Sequence, residues 1–246
     1  MPTFFVTAES ITPPTIRITD PLLHHLRDSL RLHPGDSLTV TDPSCRRYRT
    51  EIVQVSANAI EARILDESPA PRRRTPTLIL IQALLKGEKM DWVIQKSTEL
   101  GVDQIVPVQT THGVVKIQPE RVDHQRGRWE RIALEAAQQS ERWTIPTVAP
   151  PTTLSQALQE LKGTAAKFIL AERSKDLALA KAMIPMEANQ SIALLVGPEG
   201  GWSEEEIRQA SAAGFQRVTM GERILRAETA ALAAVTIVQS RMGELS

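Results

Sequence analysis

LLVGPEGGWSEEEI (Leu194–Ile207) and MGERILRAETAALAAVTI (Met220–Ile237) are two glycine-bearing loops, each set between an apolar strand and a helix. Ile192 to Val196 is a short continuous apolar run, as expected of a strand buried on both faces in a parallel sheet. Gly197 to Gly201 interrupts it. Ser203 and Glu206 then form an S-x-x-E capping box that starts a helix, and Gly214 stands where a C-terminal cap ends it. Arg217 to Met220 reads as the next strand, Gly221 to Arg226 as a second loop, and Glu228 to Met242 as an alanine-rich helix. In open α/β sheets ligands bind outside the carboxyl ends of the strands, where both loops fall.

The loops depart from the common phosphate-binding patterns. GPEGG is neither G-x-G-x-x-G nor G-x-x-x-x-G-K-[ST], and Glu199 stands where a pyrophosphate needs backbone N–H groups or cations. A neutral or cationic ligand needing close backbone approach suits it better than a polyphosphate. The bland alternative is a tight turn made by Gly197, Gly200 and Gly201.

GPEGGWSEEEI followed by RILRAETA resembles the late motifs of the 16S ribosomal RNA uridine-N3 methyltransferases, the RsmE family of the SPOUT class. Lys86 to Gly101 (KGEKMDWVIQKSTELG), the following Val102 to Val108, and Arg128 to Pro146 (RWERIALEAAQQSERWTIP) are similar to its middle segments. His25 to Asp36 (HLRDSLRLHPGD) resembles its H-L-x-x-x-L-R-x-x-x-G-D segment. Met220 replaces the usual Leu, and the loop at Glu172 to Ser174 is unmatched. The resemblance implies S-adenosylmethionine-dependent N3-methylation of a uridine in 16S rRNA, with the small ribosomal subunit as the setting. It also implies a C-terminal α/β SPOUT domain with a parallel sheet and a trefoil knot, an N-terminal PUA-like RNA-binding β-barrel, and a homodimer whose interface includes the last helix.

Composition fits without deciding. Of 246 residues 41% are hydrophobic, enough for an ordinary core. No apolar stretch approaches the roughly 18 residues that span a bilayer, and MPTFFVTAES lacks signal-peptide blocks, so a soluble cytoplasmic protein is expected. The single cysteine, Cys45, excludes an intramolecular disulfide, and the five histidines, His24 and His25 included, show no ligand spacing, so no metal is expected. The 29 basic residues balance 29 acidic ones, against the positive excess usual in nucleic-acid binders. Distribution softens this: Arg46, Arg47 and Arg49 are read as one basic turn and Arg72, Arg73 and Arg74 as another. Such triplets either bind phosphate or are solvated turns.

The pattern divides at a proline- and charge-rich linker, Asp66 to Pro76, giving domains 1–74 and 75–246. Before it, Thr3–Val6, Thr15–Ile18, Ser37–Thr41, Tyr48–Val55 and Ile60–Leu65 read as short strands of a small barrel. One helix interrupts them, with Asp20 as N-cap, Pro21 at the first position, and Leu22, Leu23, Leu26 and Leu30 on one face. After it, strands at Leu78–Ile81, Gln104–Val108, Ala166–Ala171, Ile192–Val196 and Arg217–Met220 alternate with helices, predicting a parallel sheet covered on both sides.

Methyl transfer from a sulfonium requires a positioned acceptor rather than a nucleophilic side chain or a metal. Uracil N3 must first lose its proton, so a base or an anion-stabilising cation is needed. Arg226 and Glu228 are the candidates, with Arg223 as a second cation; arginine stays protonated, which assigns Arg226 to charge on the uracil oxygens. Glu228 either takes the proton or stabilises the helix N-terminus, which is worth about 0.3–1 kcal/mol. Glu199 competes as base, as a sulfonium partner or as a structural acceptor. Leu170, Gly197, Pro198, Glu199, Gly200, Gly201, Met220, Gly221, Ile224, Leu225, Arg226 and Thr229 are assigned to the cofactor, though Ile224 and Leu225 also read as core and Thr229 as a helix-entry residue. His25, Arg31, Arg46, Arg47 and Arg49 are assigned to RNA. A nicotinamide enzyme would open with a glycine fingerprint in an N-terminal βαβ unit, which is missing; a non-catalytic RNA binder would not need the intact RILRAETA.

Overall fold

A computed structural model describes residues 3–161, 163–171 and 177–245. The chain separates into two units: residues 1–72 with 137–144, and residues 73–136 with 145–246.

The first unit contains β1 (Thr3–Phe5), β2 (Ile11–Thr12), β3 (Thr15–Ile18), α1 (Leu22–His24), β4 (Ser37–Thr41), β5 (Arg46–Val55) and β6 (Ile60–Pro69). They form a curled six-stranded sheet in the order β1-β4-β5-β6-β3-β2. On β6, Ile60 and Ala62 are buried while Glu61 and Arg63 face solvent, the period-two alternation of a half-buried strand. Phe4, Ile16, Ile18, Leu38, Val40 and Ile52 complete the core beneath the sheet.

Three sequence expectations fail here. The linker does not begin at Asp66: β6 runs on to Pro69, with Asp66 opposite Arg49 and Pro69 opposite Arg46. Cross-strand charge favours the extension, and Arg46 donates to Glu67 Oε1 at 2.6 Å. The leucine-patterned helix is one α turn that passes into a π-helical turn, His25–Ser29, and Pro21, not Asp20, is its N-cap. The Leu32 amide reaches back to the Leu26 carbonyl, so Leu32 packs against the core and Leu30 turns outward. Finally, Arg46, Arg47 and Arg49 lie on β5 and not on a turn. The turn itself is Asp42 to Cys45, closed by the Arg46 amide on Asp42 Oδ1. Strand alternation sends Arg46 to the opposite face from Arg47 and Arg49. Arg47 donates to the carbonyls of Glu141 and Arg142, and its guanidinium lies 3.8 Å from the centre of the Trp143 ring.

The second unit contains β7 (Thr77–Ala83), α2 (Lys89–Glu99), β8 (Gln104–Gln109), α3 (Val122–Gln139, of which Val122 to Ala136 belong here), β9 (Thr147–Val148), β10 (Thr152–Thr153), α4 (Leu154–Glu160), β11 (Ala166–Leu170), β12 (Leu177–Ala178), β13 (Ser191–Val196), α5 (Glu204–Ala212), β14 (Gln216–Thr219) and α6 (Ala227–Arg241). The sheet is parallel throughout, in the order β10-β8-β7-β13-β11-β14-β12, with β9 also on β8. Along β13, Ile192, Leu194 and Val196 join the core shared with α2, α3 and α6, whereas Ala193 and Leu195 join that shared with α4 and α5. This two-sided burial explains the unbroken apolar run.

Small residues let α6 approach α2 closely. Gln239 of α6 donates to the Leu100 carbonyl at 2.6 Å, and a Cβ on Gly101, at φ +88°, would sit 2.3 Å from the same side-chain nitrogen. Arg73 was read as part of a basic turn. Instead it forks onto both oxygens of Asp103, at 2.8 and 2.7 Å, and caps the carbonyls of Thr75 and Pro76.

Candidate cofactor pocket and active site

Three neighbouring parallel strands, β13, β11 and β14, end at Val196, Leu170 and Thr219, and the chain segments leaving them enclose a cavity of about 450 Å³. Its wall takes in Gly197 to Glu199 and Gly201 from the first glycine loop and Met220 to Arg226 from the second. The sequence motifs converge because the sheet brings their strands side by side, although they are separated along the chain.

Trp202, missed as a site residue, shapes the cavity. Its indole N–H donates to the Leu170 carbonyl at 3.0 Å, stitching the first loop to the neighbouring strand end. A Cβ on Gly197 would lie 3.0 Å from two atoms of that ring, so only glycine fits without moving the indole. Gly201 (φ +72°) and Gly221 (φ +106°) hold conformations that L side chains rarely adopt. At Gly201, on the cavity wall, the Cβ direction is open and the backbone conformation adds its own constraint. Gly200 is outside the cavity wall and packs against His112 instead.

The capping box forms as expected and does more than start α5. Glu206 accepts from the Ser203 amide (2.8 Å) and hydroxyl (2.9 Å), and also from the Thr111 amide (2.7 Å), anchoring the segment that leaves β8. Burial raises the Glu206 carboxyl, but the hydrogen bonds from Ser203 and Thr111 outweigh it and hold it below the ordinary carboxylate range. A depressed folded value means the stabilisation is present above the unfolded value near pH 4–5 and lost as pH falls through the folded one. Glu206→Ala should cost about 2 kcal/mol at neutral pH, by urea unfolding, with the difference from the parent shrinking in acid. Equal stability of the two proteins at neutral pH would refute this.

Ile224 is 53% exposed and Leu225 half-buried, and both line the cavity, so Ile224 is not ordinary core. Met220 and Leu170 add apolar wall. Arg226 is the N-cap residue of α6; its exposed side chain and that of Arg223 stand on the cavity wall. Glu228 and Thr229 are not wall residues; they occupy the first turn of α6, directly after the lining residues Arg226 and Ala227. Thr229 faces solvent, whereas the Glu228 side chain is 14% exposed.

Lys89, at the start of α2, also escaped the sequence reading. Its ammonium lies 2.8 Å from Glu199 Oε1 and 3.7 Å from Glu228 Oε2. The Glu199 carboxyl is raised by burial but lowered more by Lys89 and its own backbone amide, ending below its ordinary value, which makes it a poor base. Lys89 belongs to the quoted KGEKMDWVIQKSTELG segment, but nothing in the spacing singles it out from Lys86 or Lys96.

In the first unit, His25, Arg31 and Arg49 are exposed, and Arg31 takes φ 54° just after the π-helical turn. The unmatched loop at Glu172 to Ser174 lies outside the described residues. Among the described residues no helix is long and apolar enough to cross a membrane, and no three His, Cys, Asp or Glu side chains gather as a metal site.

Fold and site together define an RNA methyltransferase. Residues 73–239 match the RNA methyltransferase domain family, and residues 18–65 match the RNA methyltransferase PUA domain. A ribosomal RNA small subunit methyltransferase E from Synechocystis is 33% identical over 236 residues, covering 96% of this chain and 76% of that protein. The protein of the same name from Bacillus subtilis is 29% identical, over 92% of this chain and 90% of its own. A Neisseria gonorrhoeae ribosomal RNA small subunit methyltransferase E, solved bound to S-adenosyl methionine, superposes with a TM-score of 0.86 at 34% identity, covering 98% of both chains. The chain belongs to the ribosomal RNA small subunit methyltransferase E family.

Proposed function

We propose that this chain transfers a methyl group from S-adenosylmethionine to N3 of one uridine in 16S rRNA. The carrying observation is the cavity at three strand ends, with Arg223 and Arg226 on its wall and Glu228 two residues beyond. The residues fit the cofactor: glycines leave backbone groups accessible, Leu170, Met220, Ile224 and Leu225 offer apolar surface, and no phosphate cradle is needed. When bound, S-adenosylmethionine supplies a methyl carbon already activated by the sulfonium. Glu228 takes the N3 proton; the carboxylate gains it and the uracil ring is left with an extra electron pair on N3. Arg226, permanently charged, stabilises the negative charge that spreads to the uracil oxygens, and Arg223 adds a second cation. The proton then passes from Glu228 to solvent.

The domain boundary near residue 74, a C-terminal trefoil knot and a homodimer belong to the same reading. Thr229, Leu232, Ala233 and Thr236 leave an uncharged, partly exposed face on α6, which suits a second copy of the chain. A substrate in the small ribosomal subunit implies a cytoplasmic enzyme. Titration calorimetry tests the cofactor: saturable binding of S-adenosylmethionine and S-adenosylhomocysteine, and none of NAD or ATP, is expected. Binding of NAD or ATP with neither of the first two would overturn the reading.

For RNA, the first unit offers His25, Arg31 and Arg49, together with Arg46 in its exposed pair with Glu67; Arg47 is engaged by backbone carbonyls and Trp143. Arg31→Ala with Arg49→Ala should weaken RNA binding and reduce its salt dependence by about 0.7–0.9 log unit per lost phosphate contact, leaving cofactor affinity intact. Unchanged binding at several salt concentrations would place the RNA surface elsewhere.

A further inference from the structure

The charged cluster beside the cavity contains a residue with no role so far. Lys89 comes from α2, Glu199 from the loop after β13, and Glu228 from the first turn of α6, so three elements distant in sequence meet at one ammonium. A brace for the glycine loop would need only Glu199. Glu228 is the informative partner, because its Oε2 is buried and accepts no hydrogen bond. A carboxylate taken out of water without hydrogen bonds is costly unless a cation faces it. The charged groups around the Lys89 ammonium are Glu199, Glu228 and Arg226; Lys86 acts on Glu199 from further out.

We infer that Lys89 is a positioning residue for methyl transfer, fixing the Glu228 carboxylate in place and tying it, through Glu199, to the loop that walls the cavity. The inference rests on Glu228 being the proton acceptor. Lys89 itself neither gains nor loses a proton: the N3 proton goes to Glu228 and then to solvent. Because one ammonium grips both carboxylates, the acceptor and the cofactor wall keep a fixed relation.

The test uses full-length Lys89→Met, Lys89→Arg and Glu228→Gln. In Lys89→Met, kcat at neutral pH should fall about 10–100-fold, below the full worth of a general base, with KM for RNA little changed. S-adenosylmethionine affinity should stay within about threefold, because Lys89 is not on the cavity wall. Lys89→Arg, which keeps the charge, should restore most of the turnover. If Glu228→Gln is inactive yet Lys89→Met loses cofactor affinity as much as turnover, Lys89 is only a loop brace and the inference falls alone. If Glu228→Gln turns over like the parent, the proton-acceptor reading falls and takes the inference with it.

Discussion

Arg226→Ala should lower turnover by about 10²–10³-fold and leave S-adenosylmethionine affinity within a few-fold of the parent, outcomes that single-turnover kinetics and calorimetry check. The residue is the N-cap of α6, yet its side chain makes no capping hydrogen bond, so removing it takes nothing from the helix start. Arg226 is exposed and stands on the cavity wall. A cation there matters most when the uracil ring carries negative charge, so the loss falls on kcat and not on ground-state binding. Arg226→Lys should recover only part of the rate, since an ammonium lacks the planar fork. Loss of cofactor affinity equal to the loss of turnover would contradict this division of labour.

Gly197→Val should produce the opposite pattern, with S-adenosylmethionine binding weakened about 10–100-fold. The side chain would meet the Trp202 ring at 3.0 Å, and the ring is held by its bond to the Leu170 carbonyl. Overpacking of a fixed ring costs about 1–3 kcal/mol, which corresponds to that range of affinity if the indole moves into the cavity. Gly201→Ala provides the comparison: its Cβ meets nothing, and the φ of +72° sets a penalty of about 1–2 kcal/mol on backbone conformation alone. Gly197→Val binding the cofactor as the parent does, measured by calorimetry, would show that the indole position is immaterial.

Much of this arrangement was legible in the sequence. The apolar run at Ile192 to Val196 announced a strand buried on both faces, and Ser203 with Glu206 announced a helix start, because both signals are local and chemical. Leu30 was misplaced because helical periodicity assumes an α turn, and the π-helical turn at His25–Ser29 shifts every later side chain. The arginines at 46, 47 and 49 were read as a turn because Pro43-Ser44 precedes them. What decides their fate is non-local: β6 supplies Glu67 to one, and Trp143 with the carbonyls of Glu141 and Arg142 engages another. Lys89 and Trp202 stayed invisible for the same reason, since each acquires its meaning from a partner 110 or 32 residues away. Residue types revealed the chemistry of the loops; only the parallel sheet reveals who stands beside them.

Nucleoside mass spectrometry of 16S rRNA tests the central claim most directly. Small subunits from a strain lacking this chain are incubated with the purified protein and S-adenosylmethionine carrying an isotope-labelled methyl group, and the rRNA is then digested. Label should accumulate as N3-methyluridine, approaching one per 16S molecule, and Arg226→Ala should suppress it. Label on another base or on ribose, or no label with an enzyme that binds the cofactor, would contradict it.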